Sequence, residues 1–538
     1  MKKTSDLFKC IITDTRIRAT LIGSIIIGIL SQGMGLFNVY SCHDDAITLF
    51  SYGETYTLGR WLTHIIERLS VRFGLNGDGV ISMTLPNGVF LLACVIISAC
   101  FVIRALDIAD KYLCALIGGL MISVPTITCY MGYRYNAVQF GVALLLSAAG
   151  AYLACGSINL RRNLLAIVLL GCSAGAYQGF IPFAICVILF WCIKREITQS
   201  SNVLLYASKL AIIVMGTLFY SVANRIYLLA NHYEMIPYRG IDTVTKIGAG
   251  DYLIRVLIAY KQFIFPKRET LFYIYPSNIR YVYYMMGAIA IVLVLIQLIR
   301  IFRNSFVSGI LLMLMFAVVP LACNFMIVMA GVDYMYSTMT YAQMMPFILA
   351  AMLGDIFIRN NSNEKPIESE SEDALNSTHD LSFLRTAFIT LLVLLDLMYV
   401  RYDNKLYMIA EYTQSECISY FTTLITRIQS LDGYDTSMPV AYINEYDKNT
   451  EGIAGFAAVP SYHGVRGRLE DVNVDPYWTA DVLISNYAWK SFMNNWCGYS
   501  PELVAPTYFS DRPEVLALPH YPDSGSICII DDTIVVNF

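Results

Sequence analysis

The sequence predicts a polytopic α-helical membrane protein that carries a small α/β domain at its C-terminal end. Three observations support this. Of the 538 residues, 57% are hydrophobic and only 14% charged, with a mean hydropathy of +0.55, a balance that soluble chains of this length rarely show. Apolar runs long enough to cross about 30 Å of hydrocarbon recur along most of the chain. The last stretch, from residue 401 onward, instead mixes helical and strand patterning.

The apolar runs cover residues 19–40, 88–103, 112–129, 138–155, 164–176, 180–193, 204–229, 281–301, 306–329, 339–358 and 383–399, which gives about eleven spans. The first is about 20 residues long and reads as a spanning helix of the mature chain, not as a cleaved signal. The two runs divided at Tyr177-Gln178-Gly179 are short, and read either as two tight helices or as one broken re-entrant element.

Charge patterning gives the orientation. Lys2, Lys3, Lys9, Arg16 and Arg18 precede the first span, and Arg104/Lys111, Arg161/Arg162, Lys194/Arg195 and Arg300/Arg303 recur at alternate loops. The positive-inside rule then places the N-terminus in the cytoplasm. The acidic, Ser/Asn-rich segment 360–380 reads as a flexible inner linker, and an odd number of spans puts everything after Arg401 outside. The expected division is a membrane domain, 1–400, with long outer loops at 41–87 and 231–279, and an extracytoplasmic domain, 401–538. Loops carried on a rigid scaffold are where chemistry concentrates.

The formal net charge of -4 and the scatter of basic residues in short loops exclude nucleic acid as a partner; membrane lipid is the expected one. Among the 14 cysteines, Cys94, Cys100, Cys114, Cys155, Cys172, Cys186 and Cys192 lie in or beside apolar runs, where a thiol acts as a small hydrophobe. No Cys-x-x-Cys pair or zinc spacing is present.

In the tail, Leu406, Ile409, Tyr412, Ile418, Phe421, Leu424, Ile425 and Ile428 recur at helical spacing, while 439–443, 527–530 and 533–536 read as strands. Asp531 and Asp532 fall where the last two strands must turn, which assigns them to turn chemistry.

The first outer loop opens with His43-Asp44-Asp45 just beyond the first span. Carboxylates at the edge of hydrocarbon are costly and therefore functional candidates, and adjacent ones tend to raise one pKa, which suits a general base or a metal ligand. An exposed pair at a helix end is the plainer alternative. Fifteen residues after Asp45 comes Arg60-Trp61-Leu62-Thr63-His64-Ile65-Ile66-Glu67-Arg68-Leu69. Here Trp61, Leu62, Ile65, Ile66, Leu69 and Phe73 form one face and Arg60, His64, Glu67 and Arg68 the other, an interfacial amphipathic helix. Arg60, near its start, suits a lipid phosphate. The long outer loop adds Tyr233, Arg239, Lys267, Arg268 and Arg280, which suit phosphate and sugar but also an interface belt. Arg134, Gln178 and Asp333 occupy short outer turns, where capping and turn formation compete with a lining role.

A multi-span chain with an Asp-Asp pair just after its first helix and a Gly-Arg-Trp helix following resembles the phage-type serotype-converting O-antigen glucosyltransferases. The resemblance implies a GT-C architecture and transfer of a hexose, glucose in that family, from a polyprenyl-phosphate donor to an extracytoplasmic envelope glycan. It implies Asp44 or Asp45 as the base, Arg60, Arg280, Lys267 and Arg268 as ligands of the donor phosphate, and His43, His64, Arg134, Gln178, Arg239 and Asp333 as lining residues. The sequence assigns no cofactor and leaves a divalent cation open. The rival reading is a transporter or flippase of lipid-linked saccharides; few ionisable residues fall in mid-span, which disfavours it.

Overall fold

In the computed structural model helix dominates, and the residues described are 13–40, 43–49, 55–72, 81–199, 202–236, 247–266, 277–332, 335–363, 372–445 and 488–538. Helix α1 (Thr15–Phe37) starts at Asp14, whose carboxylate accepts the Arg16 N–H and so satisfies one of the free donors of the first turn. Its polarity is inverted relative to a soluble helix. Thr20, Ser24, Gly28, Ser31 and Gln32 point inward, while Ile22, Ile25, Ile26 and Ile29 are exposed. In hydrocarbon that arrangement is stable, because small and polar side chains let helices approach and bond while the aliphatic ones meet lipid.

After α1 come two short amphipathic pieces, α2 (His43–Ile47) and α3 (Trp61–Arg72), then the helices α4 (Thr84–Leu106), α5 (Lys111–Ser123), α6 (Pro125–Gly132), α7 (Ala137–Ala154), α8 (Leu160–Ala176), α9 (Ile181–Thr198) and α10 (Val203–Asn231). The chain continues through α11 (Ala249–Ile264), α12 (Ser277–Asn304), α13 (Phe306–Cys323), α14 (Phe325–Ala330), α15 (Met345–Asn363) and α16 (Glu372–Gln429). Among the described residues, eight helices are long and apolar enough to cross a membrane, or up to nine if α5 and α6, bent by 41° where Pro125 opens α6, form one span. Each apolar run read from the sequence falls on a helix. The remaining two runs are α8 and α9; α8 is 17 residues long and the last turn of α9 carries Lys194, Arg195 and Glu196, which keeps both below that standard.

The described parts of the expected linker, 360–363 and 372–380, are helical and belong to α15 and α16. Helix formers such as Glu372, Ala374 and Leu375 account for this. Helix α16 then runs through residues 400 and 401 without a break.

One end of the bundle is tied by ion pairs. Asp107 pairs with Arg16 at 2.8 Å, Lys194 at 2.9 Å and Arg359 at 3.4 Å, Asp110 pairs with Arg385, and Asp355 accepts the N–H groups of Ala109 and Asp110. Since Arg16 and Asp44 flank α1, whose 23 residues rise about 35 Å, the Asp pair lies at the opposite end. Between them, α16 buries two carboxyls against α1 and α5. Ser31 donates to Asp403, whereas Asp396, 1% exposed, has no hydrogen-bond partner among the described residues. Both carboxyls lie deep in the bundle, as does Lys209 of α10.

The tail holds β1 (Val440–Ile443), α17 (Trp489–Cys497), α18 (Pro513–Leu516), β2 (Ile527–Ile530) and β3 (Thr533–Asn537). The sheet order is β1-β3-β2, with β1 parallel and β2 antiparallel to β3. Asp531 and Asp532 both adopt positive φ, 48° and 54°, the turn that matches the twist of a two-residue hairpin and that Asp tolerates. Phe421 from α16 stacks on Trp489, and Phe538 and Tyr442 close the core around them. Ala46 of α2 is buried in this same core, and Asn495 of α17 donates to its carbonyl at 2.9 Å. The tail therefore packs directly on the helix that bears the Asp pair.

Candidate active site

Three stretches of chain are laced around α2. Ile81 N–H bonds to Leu49 O, Asn87 Nδ2 bonds to both Ile81 O and Arg134 O, and the 3-10 turn Arg134–Asn136 sits between α6 and α7. Arg134 Nε reaches Asp45 Oδ2 at 2.8 Å, with the two side chains 4% and 0% exposed. Ser82 donates to Asp45 Oδ1, and the Tyr135 N–H faces the same oxygen. Burial pushes the Asp45 carboxyl up, against the pull of Arg134 and these donors. Asp44, one residue earlier, is only half-buried and accepts the Tyr135 hydroxyl at 3.4 Å. The two neighbours thus differ in kind: Asp45 is fixed in a closed ion pair, and Asp44 borders the exterior.

A second cluster forms where α3 begins. The turn into it uses Gly59 at φ 81°. A Cβ there would sit 2.6 Å from Tyr220 Oη and 3.1 Å from Gln178 Nε2, so both the backbone angle and the space require glycine. Gln178 Nε2 donates to Leu58 O and to Tyr220 Oη. Arg60 places its guanidinium 4.9 Å from the centre of the Tyr177 ring, and Tyr177 in turn donates to Thr338. Arg60 Nε, Trp61 Nε1, Glu67 Oε1 and Arg134 Nη2 are buried without a hydrogen-bond partner among the described residues. Buried polar atoms are normally satisfied; these four are among several such orphans along the chain, Arg195 Nε and Lys209 Nζ being others.

Helix α3 keeps the expected amphipathic split, except that Trp61 of its apolar face is buried. Trp61, Thr63 and Glu67 are buried, while Ile65 and Leu69 are exposed; the apolar face serves lipid and the Glu67 face turns inward. Burial raises the Glu67 carboxyl to about 8. His64 accepts from Arg68 Nε at Nε2, so its Nδ1 carries the proton and donates to Tyr227. Burial and the Arg68 charge lower the His64 pKa.

Of the residues singled out in the sequence, Asp44, Asp45 and Arg134 come together around α2, and Arg60 and Gln178 come together at Gly59. His64 lines the junction of α3 with α10. Arg280 stands in the first turn of α12, half-buried. Arg239, Lys267, Arg268, Asp333, Phe73 and the side chain of His43 lie outside the described residues. Among the described residues no group of three or more His, Cys, Asp or Glu side chains is arranged to hold a metal ion. Tyr135, beside Arg134 in the same turn, joins the α2 cluster, while Tyr220 and Thr338 enter the second cluster without any motif to announce them, through Gln178 and Tyr177.

A polytopic helical membrane protein with adjacent carboxylates, one of them paired with a buried arginine, at one end of the bundle is the class defined by this fold and site. A family model, glucosyl transferase GtrII, matches residues 33–347, a stretch that contains both clusters, and the chain belongs to that family of serotype-converting O-antigen glucosyltransferases. It is a glycosyltransferase, and its family acts in O-antigen modification. Searches of curated proteins and of solved structures returned no match.

Proposed function

We propose that the protein moves a glucosyl unit from a polyprenyl-phosphate donor to an envelope glycan on the extracytoplasmic side of the cytoplasmic membrane, within a GT-C-type membrane domain. Asp44 takes the proton of the acceptor hydroxyl as its oxygen attacks the anomeric carbon. The bond from that carbon to the phosphate oxygen breaks, and the polyprenyl phosphate leaves with the electron pair, its charge met by Arg60. The proton on Asp44 is then lost to water. Asp45, held by Arg134, positions α2 without entering the reaction.

The observation that carries this reading is the contrast within the Asp pair: a half-buried Asp44 beside a sealed Asp45–Arg134 pair, at the end of the bundle where Arg60 has an unsatisfied Nε. The basic network at the other end fits a cytoplasmic face. The test is transfer of labelled glucose from polyprenyl-phosphate glucose by purified protein in vesicles. Asp44→Asn is expected to lower turnover at least about a hundredfold with unchanged thermal stability. Turnover within a fewfold of wild type in Asp44→Asn would remove Asp44 as the base, and movement of solute across sealed vesicles with no glycosidic product would remove the transferase reading.

A further inference from the structure

Helix α17 meets α2 along two rows of side chains that differ in chemistry. In the first, Phe492 is buried with Ala46 of α2 in the core of the tail, and Trp496, one turn on, is half-buried and stacks on it with ring centres 5.7 Å apart. In the second, Ser491 is half-buried and Asn495 is exposed, and Asn495 spends one N–H on Ala46 O at 2.9 Å. Residues four apart share a helix face, so Ser491, Asn495 and Trp496 form one patch at the rim of the α2–α17 contact. The patch is neutral, since Lys490, the basic side chain of α17, is paired with Glu445 at 2.7 Å. Asp44 lies two residues before Ala46, about 5 Å away between Cα atoms on a helix.

We propose that this patch is an acceptor subsite, which holds the sugar unit next to the one whose hydroxyl meets Asp44; the proposal rests on the reading above of Asp44 as the base and of an envelope glycan as acceptor. Three features select this occupant. The absence of charge suits a polyol and not a phosphate. A sugar hydroxyl both donates and accepts, as do the Asn495 amide and the Ser491 hydroxyl, while the Trp496 ring, steadied by Phe492, offers a flat apolar surface to the C–H face of a sugar. The position also fits. Residues two apart on a helix point in nearly opposite directions, so Ala46 enters the tail while Asp44 borders the exterior across α2. The family modifies O-antigen, a glycan of linked units, and a chain that presents one unit to Asp44 crosses α2 and meets α17 with the next.

The test uses the full chain in nanodiscs, with polyprenyl-phosphate glucose as donor and delipidated O-antigen polysaccharide as acceptor, and compares wild type, Trp496→Ala and Ser491→Ala by initial rates over a range of each substrate. The acceptor KM is expected to rise about tenfold in Trp496→Ala and about threefold in Ser491→Ala, with the donor KM within about twofold of wild type in both. Ser491→Ala removes a single hydroxyl and introduces a better helix former, so it reports even if Trp496→Ala fails to fold. Amide hydrogen exchange on wild type needs no variant: added polysaccharide is expected to protect residues 488–500. If wild type transfers no glucose to the polysaccharide, the reading beneath the proposal fails. If it does, but both variants keep the wild-type acceptor KM, or donor and acceptor KM rise together, or the polysaccharide protects other segments and leaves 488–500 unchanged, the subsite is overturned. Protection of 488–500 that follows protein concentration without any glycan would also overturn it, by marking the face as a contact between copies of the chain.

Discussion

Replacing Arg134 with Met should reveal what the buried pair at α2 contributes. Met keeps much of the side-chain volume but leaves Asp45, 1% exposed, without its cation. Breaking such a pair from one side costs about 3–5 kcal/mol, because a charge is left in a dry site. Asp45 has an escape, which is to take up a proton. At pH 7 that costs about 1.4 kcal/mol for each of roughly three pH units above its ordinary value, about 4 kcal/mol in all, and at pH 5 only about 1.5 kcal/mol. In the variant the folded-state pKa of Asp45 lies above the unfolded one. The stability it retains is therefore full below the ordinary carboxylate range and is lost as pH rises through the folded value. The expected result is a loss of about 4 kcal/mol at pH 7 that shrinks to about 1.5 kcal/mol at pH 5, read by thermal denaturation in detergent at the two pH values. Asp45→Asn combined with Arg134→Met should recover most of the loss, since no charge then needs a partner. An equal loss at both pH values, or a double variant no better than Arg134→Met alone, would refute the reasoning.

Glu67, raised to about 8 by burial, binds its proton more tightly folded than unfolded, so its contribution is full below about 4.5 and is lost as pH rises through 8; Glu67→Gln should flatten the fall in melting temperature between pH 6 and pH 9, and an unchanged slope would place the carboxyl in water. Arg60→Lys keeps the charge but loses the planar stacking on Tyr177; the donor KM is expected to rise about tenfold with a smaller change in kcat, measured by initial rates over a range of donor. Asn495→Ala removes the donor to Ala46 O and should cost about 1 kcal/mol of stability, with a drop in kcat that a merely local loss in the tail would not produce. Asp532→Gly, at φ 54°, should be neutral or stabilising by up to about 1 kcal/mol, whereas Asp532→Val at the same site should destabilise.

Local chemistry was legible in the sequence. Asp531-Asp532 announced a hairpin turn because the residues and the tight spacing leave few backbone options, and the apolar runs announced helices because hydrocarbon leaves none. The Asp44–Asp45 pair was visible as a candidate, but not the difference in their surroundings, since that depends on Arg134 arriving from a turn 89 residues away. Helix α3 was legible as an amphipathic helix, with Glu67 turned inward and Ile65 and Leu69 exposed; what its pattern could not tell is that Trp61, on the apolar face, is buried against Gly175 of α8. Nor does any pattern in α17 foretell that Asn495 reaches back 449 positions to Ala46.

Helix α16 is continuous over 58 residues, from the end tied by Arg385 to the core that grips α2. A helix turns about 100° with each residue, so the angular phase of this one rod sets which way α17 faces. One extra residue inserted near position 401 would swing the tail by about 100° and carry Asn495 away from Ala46, although every side chain of both clusters stayed in the sequence. An insertion of seven residues nearly restores the phase but lengthens the rod by about 10 Å, so it too would part Asn495 from Ala46.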